Sequence, residues 1–338
     1  MPSPLQRLVT QGKQVISRLK PYLRWVILGG TLVSTLRQHW SEVMELRVDA
    51  VGWGILTIAM GFTLLAHIWS GWVWSWILRE LNQPAKGIWG ISVYLKTNIA
   101  KYLPGNVWHF YGRIVAATEA GFPAGAATLS VLLEPLLMAA AALIITLVGT
   151  LISLESNYEV LKLLSLGLVL TAIHPKFLNP VLKLVGRLKT KSTRSAASKA
   201  STPTSAGLNA AAPAAPQTSQ PVQLKRYPLF PILGEVFFVF LRGVGFLFCV
   251  MVLASVNLTQ VPLILSAFSF AWLLGLVVPG APGGIGIFEA TAIALLDSQL
   301  PPAIVLGSVA LYRLISTLAE AVGAGAAWLG DRYLGRSA

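Results

Sequence analysis

Hydrophobic stretches of about twenty residues or more recur along this chain, as at 124–153 and 229–256, and each is long enough to cross lipid hydrocarbon. In lipid no water satisfies the backbone, so such a segment must close its own hydrogen bonds as a helix or within a closed barrel. With 55% hydrophobic residues and only 12% charged, the composition indicates an all-α membrane protein with negligible strand content. The single cysteine, Cys249, lies in an apolar run, which excludes an intramolecular disulfide and a cysteine-cluster metal site and suits a packed core thiol.

The net charge of +13 does not indicate nucleic acid, because the basic residues crowd segments that suit the cytoplasmic side of a membrane. Arg7, Lys13, Arg18, Lys20 and Arg24 precede any acid, and the segment from His174 to Pro228 is again basic without an acid. Acid-leaning connections, with Glu42, Glu45 and Asp49 in one and Glu155 and Glu159 in another, fall on the opposite side. The long basic start does not read as a cleavable leader, so 22–38 is expected to be an uncleaved first span.

Threading the chain with both signals predicts about six spans, at 22–38, 51–78, 124–153, 160–178, 229–256 and 303–330, with both termini cytoplasmic. Trp69, Trp72, Trp74 and Trp76 before Arg79 suit an aromatic belt at the inner interface. The regions 79–121 and 263–297 are apolar but broken, and are expected to be two re-entrant helical hairpins. The organisation is then an N-terminal basic segment and first span (1–50), a first membrane repeat (51–185), a disordered basic, Ala/Pro/Ser-rich linker (186–228) and a second membrane repeat (229–338).

The breaks are Lys101-Tyr102-Leu103-Pro104-Gly105-Asn106 and Val278-Pro279-Gly280-Ala281-Pro282-Gly283-Gly284-Ile285-Gly286. Pro104-Gly105 falls on Pro279-Gly280 at an offset of about 175 residues, and the two halves run in opposite senses, an inverted-topology repeat. Paired breaks of this kind point to a transporter site near the bilayer midplane.

Charges inside the repeat sharpen that expectation. Arg113 follows the first break as Glu289 follows the second, and Glu134 corresponds to Arg313, so the signs are swapped between halves. Buried charge in a membrane is costly and marks pairs or pathways. The expected pairs are Arg113 with Glu289 or Glu134, and Arg313 with Glu289 or Glu134; as structural bridges they would clamp the halves together. A helix restarting after a break offers unpaired N–H groups and a positive dipole end to an anion. Gly283, Gly284 and Gly286 remove side chains there, a pattern that also serves a hinge or tight helix packing.

Arg242 lies mid-span with Glu235 seven residues earlier on the same helical face, a pair expected to line the cavity. His67 matches Arg242 at the common offset but reads as a packing residue, and Glu320 as a residue meeting Arg332 or water. His109 and His174 show no metal-ligand spacing, and neither metal nor cofactor is expected.

The run Lys101-x-Leu103-Pro104-Gly105 with Arg113, and Pro279-x-x-Pro282-Gly283-Gly284-x-Gly286-x-x-Glu289 with Arg313, resembles the flippase-like transmembrane module of lysylphosphatidylglycerol synthases and their stand-alone relatives. The resemblance covers about 50–330 and implies a polytopic inner-membrane protein that moves lipids between leaflets, in some relatives within lipid-linked sugar pathways. No soluble aminoacyl-transferring domain accompanies the module in this sequence, so synthase activity is not carried over. The expectation is a non-enzymatic translocator of an anionic, aminoacylated or sugar-linked lipid, with Arg113 and Arg313 neutralising phosphate. Two other readings stand beside it: a scaffold or regulator partnering a lipid or glycan synthesis enzyme, and a membrane-embedded lipid-modifying enzyme.

Overall fold

The computed structural model describes residues 48–102, 107–152, 159–172, 174–176, 180, 224, 226–278, 284 and 286–334. The expected first span at 22–38 and Pro104, Gly105, Pro279, Gly280, Pro282 and Gly283 lie outside these, as does most of the expected linker. Leu224, near that linker's end, is buried with Ile77, Leu129 and Ile232.

All described elements are helical. They are α1 (Ala50–Glu80), α2 (Gly87–Asn98) with a 3-10 turn at Ile99–Tyr102, α3 (Trp108–Glu119), α4 (Ala124–Ile152) and α5 (Glu159–Ala172) in the first half. The second half holds α6 (Leu229–Leu253), a 3-10 turn at Leu258–Gln260, α7 (Val261–Val277), α8 (Ile287–Leu296) and α9 (Pro302–Leu334). Local chemistry sets several boundaries. Asp49 caps α1 by accepting the Gly52 N–H at 2.7 Å, and Pro262 sits in the first turn of α7, where a missing N–H costs nothing. Pro135 lies inside α4 and denies the Val131 carbonyl its helical donor.

Five segments are long and apolar enough to cross a membrane: α1, α4, α6, α9 and Leu258–Val277, which is α7 with its preceding turn. Four match expected spans. Within the span expected at 160–178 the structure describes α5, and residues 153–158, 173 and 177–179 around it lie outside the described residues. In the interrupted region 263–297, the first arm with its preceding turn, Leu258–Val277, is long and apolar enough to cross a membrane. The outer faces carry exposed Trp53, Leu65, Leu132, Phe230, Phe237 and Leu318, apolar surface that lipid would cover.

The halves pack in a mirrored pattern. α1 and α6 lie antiparallel, with Gly234 against Val73 and Gly245 against Thr63. Each broken pair packs on the helices of its own half: Trp74, Tyr94, Ala117 and Val131 unite α1 to α4, while Phe246, Phe268, Phe288 and Val309 unite α6 to α9. Across the halves, α2 meets α9 and α7 meets α4. Running along these contacts, α1 and α9 point one way and α4 and α6 the other, as an inverted repeat requires.

The tryptophan cluster is not a simple interfacial belt. Trp74 is wholly buried and donates to Ser130 Oγ at 3.2 Å, and Trp69 donates to the Gly234 carbonyl at 2.8 Å, whereas Trp72 is exposed. These indoles tie α1 to α4 and α6 because their N–H groups find partners inside the bundle. Cys249 is buried in the core, as expected of it.

Candidate functional site

A cavity of about 400 Å3 lies among the helices of both halves. Its first-half wall includes His67 of α1, Tyr94 of α2, Lys101 of the 3-10 turn, Arg113 of α3 and Glu134 of α4. Its second-half wall includes Arg242 of α6, Trp272 of α7, Gly284 and Phe288 at the second break, and Tyr312 and Arg313 of α9. Six of the residues singled out in the sequence, Lys101, Arg113, Glu134, Arg242, Gly284 and Arg313, therefore share one cavity.

The two sign-swapped pairs form within halves, not between them. Arg113 Nη1 donates to Glu134 Oε2, with both side chains almost fully buried. The guanidinium stands over Tyr94 at 4.5 Å and Phe110 at 5.5 Å, an aromatic cage that replaces part of its hydration. In the second half Arg313 Nε donates to Glu289 Oε1 at 2.8 Å. Each pair thus joins the arm after a break to the following long helix, so neither clamps the halves together.

Glu289 has a second role. Its Oε2 accepts the Gly286 N–H at 2.7 Å, so the restarting helix α8 is capped by its own side chain and that donor is already engaged. Gly286 and Gly284 have φ of 85° and 69°, a left-handed conformation natural to glycine. Gly284 also packs backbone to backbone on Gly275, where an added Cβ would come within 2.9 Å of the Gly275 Cα. Tight packing is therefore part of what the glycine run does.

Lys101 reaches across the halves to Glu320 of α9, Nζ to Oε1 at 2.5 Å, and His67 Nε2 lies 3.1 Å from the same oxygen. Glu320 is buried at 2% exposure, which corrects the expectation that it meets Arg332 or water. Arg242 donates through Nε to the Tyr312 hydroxyl at 2.7 Å. Glu235 does not join it at the cavity: it is wholly buried, and neither carboxylate oxygen has a hydrogen-bond partner. Two helical turns separate these side chains along α6, about 10 Å, which a shared face does not close.

Tyr94, Tyr312 and Trp272, which the sequence does not single out, stand in the cavity wall, as do His109, notable in the sequence only for lacking metal-ligand spacing, and His67, which its offset from Arg242 marks. An aromatic in an apolar run looks like any core residue, so only the fold selects these.

The family described as "Lysylphosphatidylglycerol synthase TM region" matches residues 22–323. The chain belongs to that family. A comparison with curated proteins finds no match. Membership of the lysylphosphatidylglycerol synthase TM-region family, with five spanning-length apolar helices, makes this a multi-pass membrane protein and points to a function concerned with membrane lipids. Chemically, the site offers cations held among aromatic rings inside an apolar bundle, a setting that suits a polar, charged group.

Proposed function

We propose that the protein translocates a lipid between leaflets, with the headgroup passing through this cavity while the acyl chains remain in the bilayer. The observation that carries the reading is the cavity's position: it is walled by equivalent helices of two mirrored halves, and both sign-swapped ion pairs stand beside it. In this reading α2–α3 and α7–α8 are re-entrant hairpins of an inverted-topology repeat, and rocking of one half against the other exposes the cavity to each side in turn. The membrane is the inner (plasma) membrane with both termini cytoplasmic, and the role is transport, not catalysis. Anionic, aminoacylated and sugar-linked lipids are the candidate cargo, and a lipid or glycan synthesis enzyme is a fitting partner.

A leaflet-accessibility assay in proteoliposomes tests this, using fluorescent phosphatidylglycerol, its aminoacylated form and a polyprenyl-phosphate sugar. Met138→Trp supplies the control, because Met138 lines the cavity and the larger side chain narrows it without adding or removing a charge. The expected result is movement of one of these lipids by the native chain and its loss in the variant. Absence of movement for all three, from protein shown to be folded, overturns the reading.

A further inference from the structure

Four cations line the cavity, and among the described residues three of them have a carboxylate partner: Arg113 with Glu134, Arg313 with Glu289, and Lys101 with Glu320. Arg242 does not. Its Nε is taken by the Tyr312 hydroxyl, an uncharged oxygen, and its guanidinium lies 5.9 Å from the Phe238 ring centroid and 5.5 Å from that of Tyr312. The residue is only 9% exposed and lines the cavity, yet its terminal nitrogens are not among the buried atoms shut away without a partner. They face the cavity space.

A guanidinium stays protonated at any ordinary pH, so burial cannot neutralise it as it would a lysine. A buried cation without a counter-ion is costly, and the cost is relieved when an anion arrives. The planar fork of two N–H groups suits a phosphate or carboxylate edge. The four cations of the cavity wall against the three carboxylates paired with them, Glu235 lying outside the wall, leave an excess of one, so a ligand with one negative charge balances the site, whereas a dianion would overcompensate unless it broke one of the existing pairs.

We propose that Arg242 is the anion receptor of the cavity and that it selects a phosphodiester of one net negative charge over a dianionic phosphomonoester or a zwitterion. Tyr312 positions the guanidinium by holding Nε, which leaves the outer edge for the ligand. Arg113 and Arg313 then shape the cavity through their internal pairs and do not receive the anion. The anion site follows from geometry alone; only the assignment of a lipid as the carrier rests on the translocation reading.

Binding to the purified full chain in detergent tests the site, with dihexanoyl-phosphatidylglycerol, dihexanoyl-phosphatidic acid, dihexanoyl-phosphatidylcholine and the lipid-free dimethyl phosphate as probes, read by ligand-induced shift in melting temperature. Phosphatidylglycerol is expected to bind at least tenfold more tightly than phosphatidylcholine or phosphatidic acid, and Arg242→Met is expected to lose at least tenfold of that affinity. The ligand-free Arg242→Met protein is expected to melt no lower than the native one, since a buried charge with no carboxylate at ion-pair distance has been removed; a purely structural Arg242–Tyr312 tie predicts a drop instead. Arg242→Lys keeps the charge without the fork and is expected to bind at intermediate strength. Unchanged phosphatidylglycerol binding in folded Arg242→Met overturns the proposal, and tighter binding of phosphatidic acid overturns the charge selectivity. Dimethyl phosphate binding as strongly as the lipid supports the anion site and overturns a lipid as the carrier. Arg242-dependent binding without leaflet movement supports this site and removes the translocation reading; undiminished movement in Arg242→Met removes this proposal alone.

Discussion

Arg113 and Glu134 form a buried ion pair between α3 and α4 whose counterpart in the other half, Glu289 with Arg313, carries the opposite order of charge. The swap preserves one cation and one anion per half while letting their environments diverge: the first pair is almost fully enclosed, whereas Arg313 remains one-third exposed.

The enclosed pair should behave as a unit. Arg113→Met or Glu134→Leu alone leaves a charge stranded in the bundle and is expected to cost about 3–5 kcal/mol. The double variant replaces the pair with apolar volume and is expected to recover most of that loss. Melting temperatures of the four proteins form the cycle, and additive single effects would contradict the coupling.

The second pair should resist exchange. In Glu289→Arg/Arg313→Glu the charges still complement each other, but the Gly286 N–H loses its acceptor and faces a cation. The swapped protein is therefore expected to stay about 1–3 kcal/mol less stable than the native one. Full recovery in a denaturation experiment would show that the cap contributes nothing.

Gly284→Ala is expected to destabilise the second break by about 1–3 kcal/mol, from the positive φ together with the collision with Gly275. Limited proteolysis around 279–286 should accelerate in the variant. A native cleavage rate would argue against the packing described.

Glu235→Leu is expected to leave stability unchanged or raise it, because both carboxylate oxygens are buried without partners. Thermal melting decides the sign. A loss of more than about 1 kcal/mol would mean that the carboxyl has a buried structural partner.

Much of this arrangement was legible in the chain because charge inside an apolar run is expensive, so Arg113, Glu134, Arg242, Glu289 and Arg313 stand out as sites that need compensation. Their pairing was not legible. Charge pattern allows Arg113 to meet either Glu134 or Glu289; what selects Glu134 is that α3 folds back on the helix that directly follows it. Glu320 was misread for a related reason, since distance from a helix end does not tell that Lys101 from another half will arrive beside it. Trp74 shows the same limit: an indole near a span end is belt or core according to whether a hydroxyl such as that of Ser130 awaits its N–H. The spans are legible where hydrophobic length alone decides, as in α1, α4, α6 and α9.

Two of the contacts across the halves, α2 with α9 and α4 with α7, are built from different materials. Between α2 and α9 they are polar ties: Lys96 and Ser92 to Asp331, Lys101 to Glu320, and Tyr102 to Thr317 at 3.0 Å. Between α4 and α7 they are a backbone seam, where Gly149 lets the chain approach the Pro262 carbonyl and Ser266 Oγ donates to the Thr146 carbonyl at 2.9 Å. Salt screens exposed charge but leaves packed backbone untouched. Ionic strength therefore acts on the exposed Lys96–Asp331 tie of the α2–α9 contact and leaves the α4–α7 seam as it is, so one of two mirrored contacts answers to salt and the other does not.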